Sequence, residues 1–215
     1  MILFHGSENI IKKPLYGGGK KYNDYGQGFY CTREVELAKE WACTEGTSAY
    51  VNQYEITLEN LKVLDLTDER YSILHWLSIL MEHRRVRVTS PIMKRGMEWL
   101  LKNYKVDVSE YDVIVGYRAD DSYFSFARAF LNNQITLGQL SKAMELGELG
   151  LQYVICSEKA FKALSYRGYE LVDKSVYHVK RVQRDEQARA SYMEQLMEES
   201  VSGIYIRDLM EKEGQ

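Results

Sequence analysis

The sequence predicts an α+β domain. Three observations lead there: short segments with the alternation or apolar runs of strands, amphipathic segments of helical spacing set between them, and few regular β-α-β units. The chain has 215 residues and 45% apolar side chains, enough for one sizeable core. With only 2 prolines, the composition argues against long disordered linkers. A net charge of −3 excludes a polycation that wraps nucleic acid along its whole surface, although it does not exclude a local basic patch.

Residues 1–4 are a short apolar run ending at His5-Gly6-Ser7, which reads as a strand entering a turn. Residues 8–25 hold Pro14, Gly17-Gly18-Gly19 and Lys20-Lys21, a basic loop. The glycine triplet offers backbone N–H groups to a phosphate. It lacks the Gly-Lys-Ser/Thr ending of a P-loop, so a solvent loop is the simpler reading. In Tyr25-Gly26-Gln27-Gly28-Phe29-Tyr30-Cys31-Thr32 the glycines allow a tight backbone path. The strand at 29–32 then turns Phe29 toward the core and Tyr30 toward a cleft.

Residues 33–42 carry Val35, Leu37, Ala38, Trp41 and Ala42 at helical spacing. Segments 49–58 and 61–66 read as strands. Residues 71–84 form an amphipathic helix, and Pro91 starts a second. The intervening Arg84-Arg85-Val86-Arg87 suits a solvated helix end. Residues 111–116 are a buried strand. Helices are expected over 123–132, entered at Asp121 or Ser122, and over 137–146, entered at Thr136. Residues 151–156 read as a strand, 157–164 as a helix capped by Ser157, and 170–182 as one or two strands. The charge-rich stretch 184–200 reads as a helix and 204–212 as a short helix; this tail docks on the domain or on a partner, docking within the chain being the simpler reading. The expected boundaries are a domain over 1–182, with a helical insertion at about 69–105, and a tail over 183–215.

Cys31, Cys43 and Cys156 show no C-x-x-C spacing and read as buried, reduced thiols. No charged region followed by an apolar run opens the chain, and no stretch reaches membrane-span length, so a cytoplasmic location without a membrane partner is expected. His75, His83 and His178 lack partners at ligand spacing, so no metal is expected. No serine or cysteine has a histidine partner of the kind nucleophilic hydrolysis needs.

The ordered set His5-Gly6-Ser7, Gly26-Gln27-Gly28-Phe29-Tyr30, Trp41 and Gln152-Tyr153-Val154 resembles the His-Tyr-Glu layout of the ADP-ribosyltransferase superfamily, in its diphtheria-toxin and poly(ADP-ribose) polymerase branch. It is similar, more closely, to a bacterial domain family of that superfamily with no assigned activity, through residues 111–116, Ala119-Asp120-Asp121, Gln152, Glu158-Lys159-Ala160 and Leu164. The resemblance implies a split pair of antiparallel sheets with peripheral helices, and NAD as substrate in the cleft between them. His5 would bond the adenosine-side ribose, the Gly6 backbone the nicotinamide amide, and Tyr30 would stack on the ring. Ser7, Gly28, Thr32 and Trp41 would complete the cofactor site, and residues 8–25 would lie over the phosphates.

Gln152 stands where the resemblance expects glutamate. An amide bonds a ribose hydroxyl but carries no charge against the oxocarbenium-like cation formed when nicotinamide leaves. Asp120 or Asp121 is the candidate for the missing acid, and Arg118 for substrate contact; Tyr117, Tyr123 and Phe124 serve either substrate or packing. The function implied is mono-ADP-ribosyl transfer from NAD to a protein, nucleic acid or small-molecule acceptor. By analogy it is a toxin paired with a small antitoxin protein. The alternative is an inactive module that binds NAD, ADP-ribosyl groups or a partner.

Overall fold

The computed structural model describes residues 1–44, 48–119, 121–146, 150–198 and 203–212; within these, the side chains of 121–123, 145, 146, 188, 191, 192 and 194–198 lie outside the description. The described residues form an α+β fold of seven strands and eight helices. In chain order these are β1 (Ile2–Ser7), β2 (Phe29–Cys31), α1 (Val35–Ala42), β3 (Tyr50–Ile56), β4 (Val63–Asp65), α2 (Ile73–His83) and α3 (Pro91–Asn103). There follow β5 (Val113–Tyr117), α4 (Asp121–Leu131), α5 (Leu137–Leu146), β6 (Leu151–Ile155), α6 (Glu158–Lys162), β7 (Leu164–Leu171), α7 (Lys174–Glu198) and α8 (Ile206–Lys212).

The strands make two sheets. One is antiparallel, in the order β1-β3-β7; the other runs β2-β6-β5-β4 and contains one parallel pair, β4 with β5. Side-chain alternation sets up three layers of packing. Leu3 and Ile56 of the first sheet meet Cys31, Val113, Val115, Tyr153 and Ile155 of the second. The opposite faces of β5 and β6 send Ile114 and Val154 into the main core, with Trp76, Leu80, Met93, Leu100 and Phe130 of the helices. On the far side of the first sheet, Ala38 and Ala42 of α1 cover Val51. The two sheets touch through paired backbone bonds between Phe4 and Thr32, 2.8 and 2.9 Å.

Local chemistry explains the helix starts. Ser90 Oγ accepts from Met93 N, with Pro91 in the first turn. Thr136 Oγ1 accepts from Gln139 N while Gln139 Oε1 accepts from Thr136 N, a reciprocal capping box. Ser157 Oγ accepts from Ala160 N. Gly6 is required by packing: a Cβ there would sit 2.0 Å from the Ala38 carbonyl oxygen, because α1 lies directly on β1.

Two expectations are corrected. The helix from Ser157 stops at Lys162, and residues 164–171 form β7, which pairs with β3 along its length. The strands expected over 170–182 are absent beyond Leu171: Lys174 begins the 25-residue helix α7, which packs on α1 and α5. The boundary expected at 182/183 thus falls inside a continuous helix. α8 docks on the domain, with Ile206 buried in the main core and Ile204 O accepting from Leu137 N. No helix among the described residues is long and apolar enough to cross a membrane. The three cysteines form no disulfide, and burial raises the pKa of each thiol.

Candidate functional site

A cleft of about 930 Å³ opens where the two sheets separate. Its walls are the end of β1, the start of β2, Trp41 and Glu40 of α1, Gln152 of β6, the 8–25 segment, Arg84, Arg118 and the N-terminal half of α7. The volume lies in the range that encloses ligands well above solvent size.

His5 and Tyr30 meet there. The His5 ring bonds the Tyr30 carbonyl through Nδ1 at 2.6 Å. A carbonyl only accepts, so Nδ1 carries the hydrogen and Nε2 of the neutral ring is an acceptor. Burial lowers the His5 pKa, outweighing the opposing effect of the carbonyl bond, and this favours the neutral form. The ring also lies 4.3 Å from that of Phe29, tilted by 31°. Phe29 faces the inter-sheet layer, and Tyr30, its neighbour, faces the main core and the cleft, following the strand alternation. The Tyr30 hydroxyl donates to Gly26 O at 2.7 Å and accepts from Tyr25 N at 3.1 Å. It therefore clasps a turn in which Gly26 takes φ +78°, and the ring is fixed at both ends.

Gln152 is buried on β6, diagonal to Tyr30, which pairs with Val154. Its Nε2 donates to Asp24 Oδ2 at 2.9 Å. The same oxygen accepts from Ala119 N at 2.9 Å, and Oδ1 lies 3.3 Å from Arg84 Nη1. With donors at both oxygens, Asp24 has the surroundings of an ionised carboxylate. Burial nonetheless raises its pKa, opposed by the Ala119 and Gln152 hydrogen bonds and the arginine charges. Because Asp24 only accepts, it holds the amide nitrogen of Gln152 and turns Oε1 away from itself. Arg84 further donates to Ala119 O at 2.8 Å and lies over the Phe124 ring at 4.6 Å. Asp24 thus ties the loop before β2 to β6 and to the segment after β5.

The other expected residues divide into those that line the cleft, those that belong to the frame and those that lie outside the description. Gly6 and Gly28 line the cleft, and each is packed against backbone: Gly6 under α1, and Gly28 with its Cβ direction 3.0 Å from Ile155 O. Ser7 lies off the cleft, where its Oγ accepts from Asn52 Nδ2 at 3.3 Å; Thr32, fully buried, accepts from Glu34 N at 3.1 Å. Both are parts of the frame. Trp41 lines the cleft, and its ring carries the Arg118 guanidinium at 4.6 Å, while its buried Nε1 has no hydrogen-bond partner among the described residues. Asp120 lies outside the described residues. Asp121 opens α4, and its side chain is likewise outside the description.

Asp24 was not among the expected site residues. The available signal was its place directly before Tyr25-Gly26-Gln27-Gly28; the partner that gives it meaning is 128 residues away. α7 is the second omission. Lys174, Tyr177, Arg181 and Arg184, spaced 3-4-3 along it, bond respectively to Thr44 O, Glu36, Cys43 O and Glu40 on or just after α1. The Arg184 guanidinium meets the buried Glu40 carboxylate at 2.8 and 2.9 Å. Among the described residues no group of histidine, cysteine and carboxylate side chains is arranged to hold a metal.

Residues 1–166 match the model of the family described as Protein of unknown function (DUF3990), and the chain belongs to that family. No curated protein and no solved structure matches it. The matched span carries the whole β2-β6-β5-β4 sheet, β1, β3, His5, Asp24, Tyr30 and Gln152, and ends within β7, before α7.

Proposed function

We propose that this member of the DUF3990 family is an NAD-dependent mono-ADP-ribosyltransferase. One observation carries the reading: His5 and Tyr30, from different sheets, stand side by side in a cleft that also holds Gln152. A pinned aromatic ring beside an imidazole acceptor and an amide oxygen is the set of groups that a nicotinamide riboside requires.

The nicotinamide ring stacks on Tyr30, whose hydroxyl is already committed and leaves the ring face as the contact surface. His5 Nε2 accepts from a ribose hydroxyl. Gln152 Oε1 accepts from a hydroxyl of the nicotinamide-side ribose, with the Asp24 carboxylate behind the same amide. When the glycosidic C1′–N bond breaks, nicotinamide leaves with the electron pair and the ribose becomes cationic. Asp24, polarising Gln152 from 2.9 Å, supplies the negative charge that an amide alone lacks. An acceptor nucleophile then bonds to C1′ and loses its proton to solvent. Lys13, Lys20 and Arg181 on the cleft wall suit the pyrophosphate.

The test is incubation of the full chain with NAD labelled in the adenylate and a cell lysate, following label transfer and free nicotinamide. Transfer with release is expected; neither, with folded protein, overturns the reading. A second reading, an NAD-binding module without turnover, is favoured by the uncharged Gln152. NAD binding without nicotinamide release selects it.

A further inference from the structure

The basic segment over the cleft remains unexplained by NAD alone. Between Asn9 and Asn23 the chain has four lysines, two tyrosines and no acidic residue, within a protein of net charge −3. Its large apolar and aromatic groups point outward: Leu15 is 71% exposed, Tyr16 60% and Tyr22 55%. Such groups on a solvent loop are costly to leave uncovered, and lysines alternate with them.

The segment is held in place. Asn52 Oδ1 accepts from Ile11 N at 2.8 Å, and the Gln27 amide donates to Gly17 O and Gly19 O at 2.5 and 2.9 Å. Gly19 rests on the Gly28 carbonyl, where a Cβ would approach to 2.4 Å. The glycine triplet is thus a close-packed crossing over the Tyr30 strand rather than a phosphate cradle. It presents Tyr16 and Tyr22 on either side as fixed rings. Tyr16 packs against Phe161 in a T-shaped contact at 5.7 Å, and Tyr22 carries the Arg85 guanidinium over its ring at 3.9 Å. Lys13 and Lys20 line the cleft itself, while Lys12 and Lys21 are exposed beside them.

Exposed aromatic faces interleaved with lysines on a rigid support match the requirements of a strand with anionic backbone and unpaired bases. An acidic protein surface would use the lysines but has no need of the exposed Tyr16 ring or of the Tyr22 face that Arg85 leaves uncovered. We propose that this segment is a docking platform for single-stranded nucleic acid, which is the acceptor of the transfer reaction. The binding claim stands by itself; the acceptor role rests on the transferase reading above. In the transfer, a base nitrogen held at the cleft mouth forms the bond to C1′ as the C1′–nicotinamide bond breaks. Nicotinamide departs with the pair, and the base loses its proton to water.

The experiment is fluorescence anisotropy of the full chain with 20-nucleotide oligo-dT and oligo-U from 50 to 200 mM salt, without NAD. Without NAD, Lys13 and Lys20 join Lys12 and Lys21 in reaching the strand, and four phosphate contacts predict a log–log salt slope of about −3; with NAD bound, Lys13 and Lys20 serve its pyrophosphate. Lys12→Glu with Lys21→Glu should lower the slope by about 1.4, and Tyr16→Ala or Tyr22→Ala should weaken binding about tenfold. All four substitutions fall in an exposed segment, and circular dichroism verifies the fold. A slope shallower than about −1, equal affinity in the tyrosine variants, or competition by polyglutamate of matched charge as strong as by oligonucleotide overturns the platform. Comparison of the two oligonucleotides assigns DNA or RNA. Adding labelled NAD then reads the acceptor role: label on the strand supports it, and nicotinamide release without label on the strand overturns it. Absence of release in every mixture overturns the transferase reading and the acceptor role together, with the platform judged from the titration alone.

Discussion

Replacing Gln152 by glutamate restores the residue type that the resemblance calls for, yet this structure predicts harm. The Gln152 amide nitrogen sits 2.9 Å from Asp24 Oδ2, so Gln152→Glu directs a second carboxylate at the first. Two unit charges at that separation repel by about 6 kcal/mol at an effective dielectric constant of about 20. Holding one proton on an ordinary glutamate at pH 7 costs about 4 kcal/mol, so the pair keeps a proton instead. The expected loss of stability at pH 7 is therefore about 3 to 4 kcal/mol, less whatever a rotation of either side chain recovers. Its sign with pH follows. The pair's folded pKa is raised, so the folded variant binds more protons than the unfolded chain above about pH 4. Its stability falls as pH rises from there and recovers on acidification, by up to about 1.4 kcal/mol per unit. Urea unfolding of the wild type and Gln152→Glu at pH 5, 6, 7 and 8 measures this. Asp24→Asn combined with Gln152→Glu exchanges the two roles: the loop then supplies the donating amide and β6 the accepting carboxylate. The double variant should recover at least half the loss. Equal stability of Gln152→Glu and the wild type at pH 8, or no recovery in the double variant, refutes the Asp24–Gln152 pairing.

Arg184→Ala strips the guanidinium from the buried Glu40 carboxylate; because Arg184 is itself partly exposed, the expected cost is about 2 to 3 kcal/mol, read as a lowered unfolding midpoint, and Glu40→Gln should relieve part of it. Gly6→Ala forces a Cβ against the Ala38 carbonyl and should cost about 3 kcal/mol or prevent folding, seen as loss of soluble protein or of cooperative unfolding. The lowered pKa of His5 means that the unfolded chain binds the extra proton first. Stability contributed by neutral His5 is complete above about pH 6.5 and is lost as pH falls through the window below it, and NAD affinity should persist to a pH under 6.5 before failing. His5→Asn, titrated in parallel, should lack that transition.

How far the fold was legible depended on whether the deciding contact was local. Strand alternation at Phe29 and Tyr30, Pro91 at the start of α3, the Ser157 cap, Thr136 before α5, and the apolar faces of α2 and α3 are all written within a few residues, and they appear where the pattern puts them. The first turns of α7, residues 174–182, were hidden because their helical signal is polar, whereas the charge-rich stretch from 184 onward reads as helix and is helix to Glu198. Val176, Tyr177, Val179 and Val182 favour a strand by type, whereas the spacing that counts is Lys174, Tyr177, Arg181 and Arg184, each reaching a partner near α1. In β7, Gly168 with φ +153° interrupts the alternation, and the register with β3 shifts between Gln53 and Tyr54. At the site, the His5 and Tyr30 motifs were readable because one closes a strand and the other opens one. Asp24 was not, since a carboxylate in a polar loop looks solvated until β6 and the turn after β5 close around it. Trp41, on a helix face beside the cleft, gave no hint that Arg118 would cover its ring.

NAD titration of the full chain by calorimetry, with nicotinamide release followed in the same samples, tests the central claim most directly. The account predicts saturable one-site binding that Tyr30→Ala weakens at least tenfold, together with nicotinamide release that His5→Asn and Asp24→Asn depress. Folded wild-type protein that takes up no NAD at millimolar concentration, or a Tyr30→Ala variant that binds it as tightly as the wild type, contradicts it.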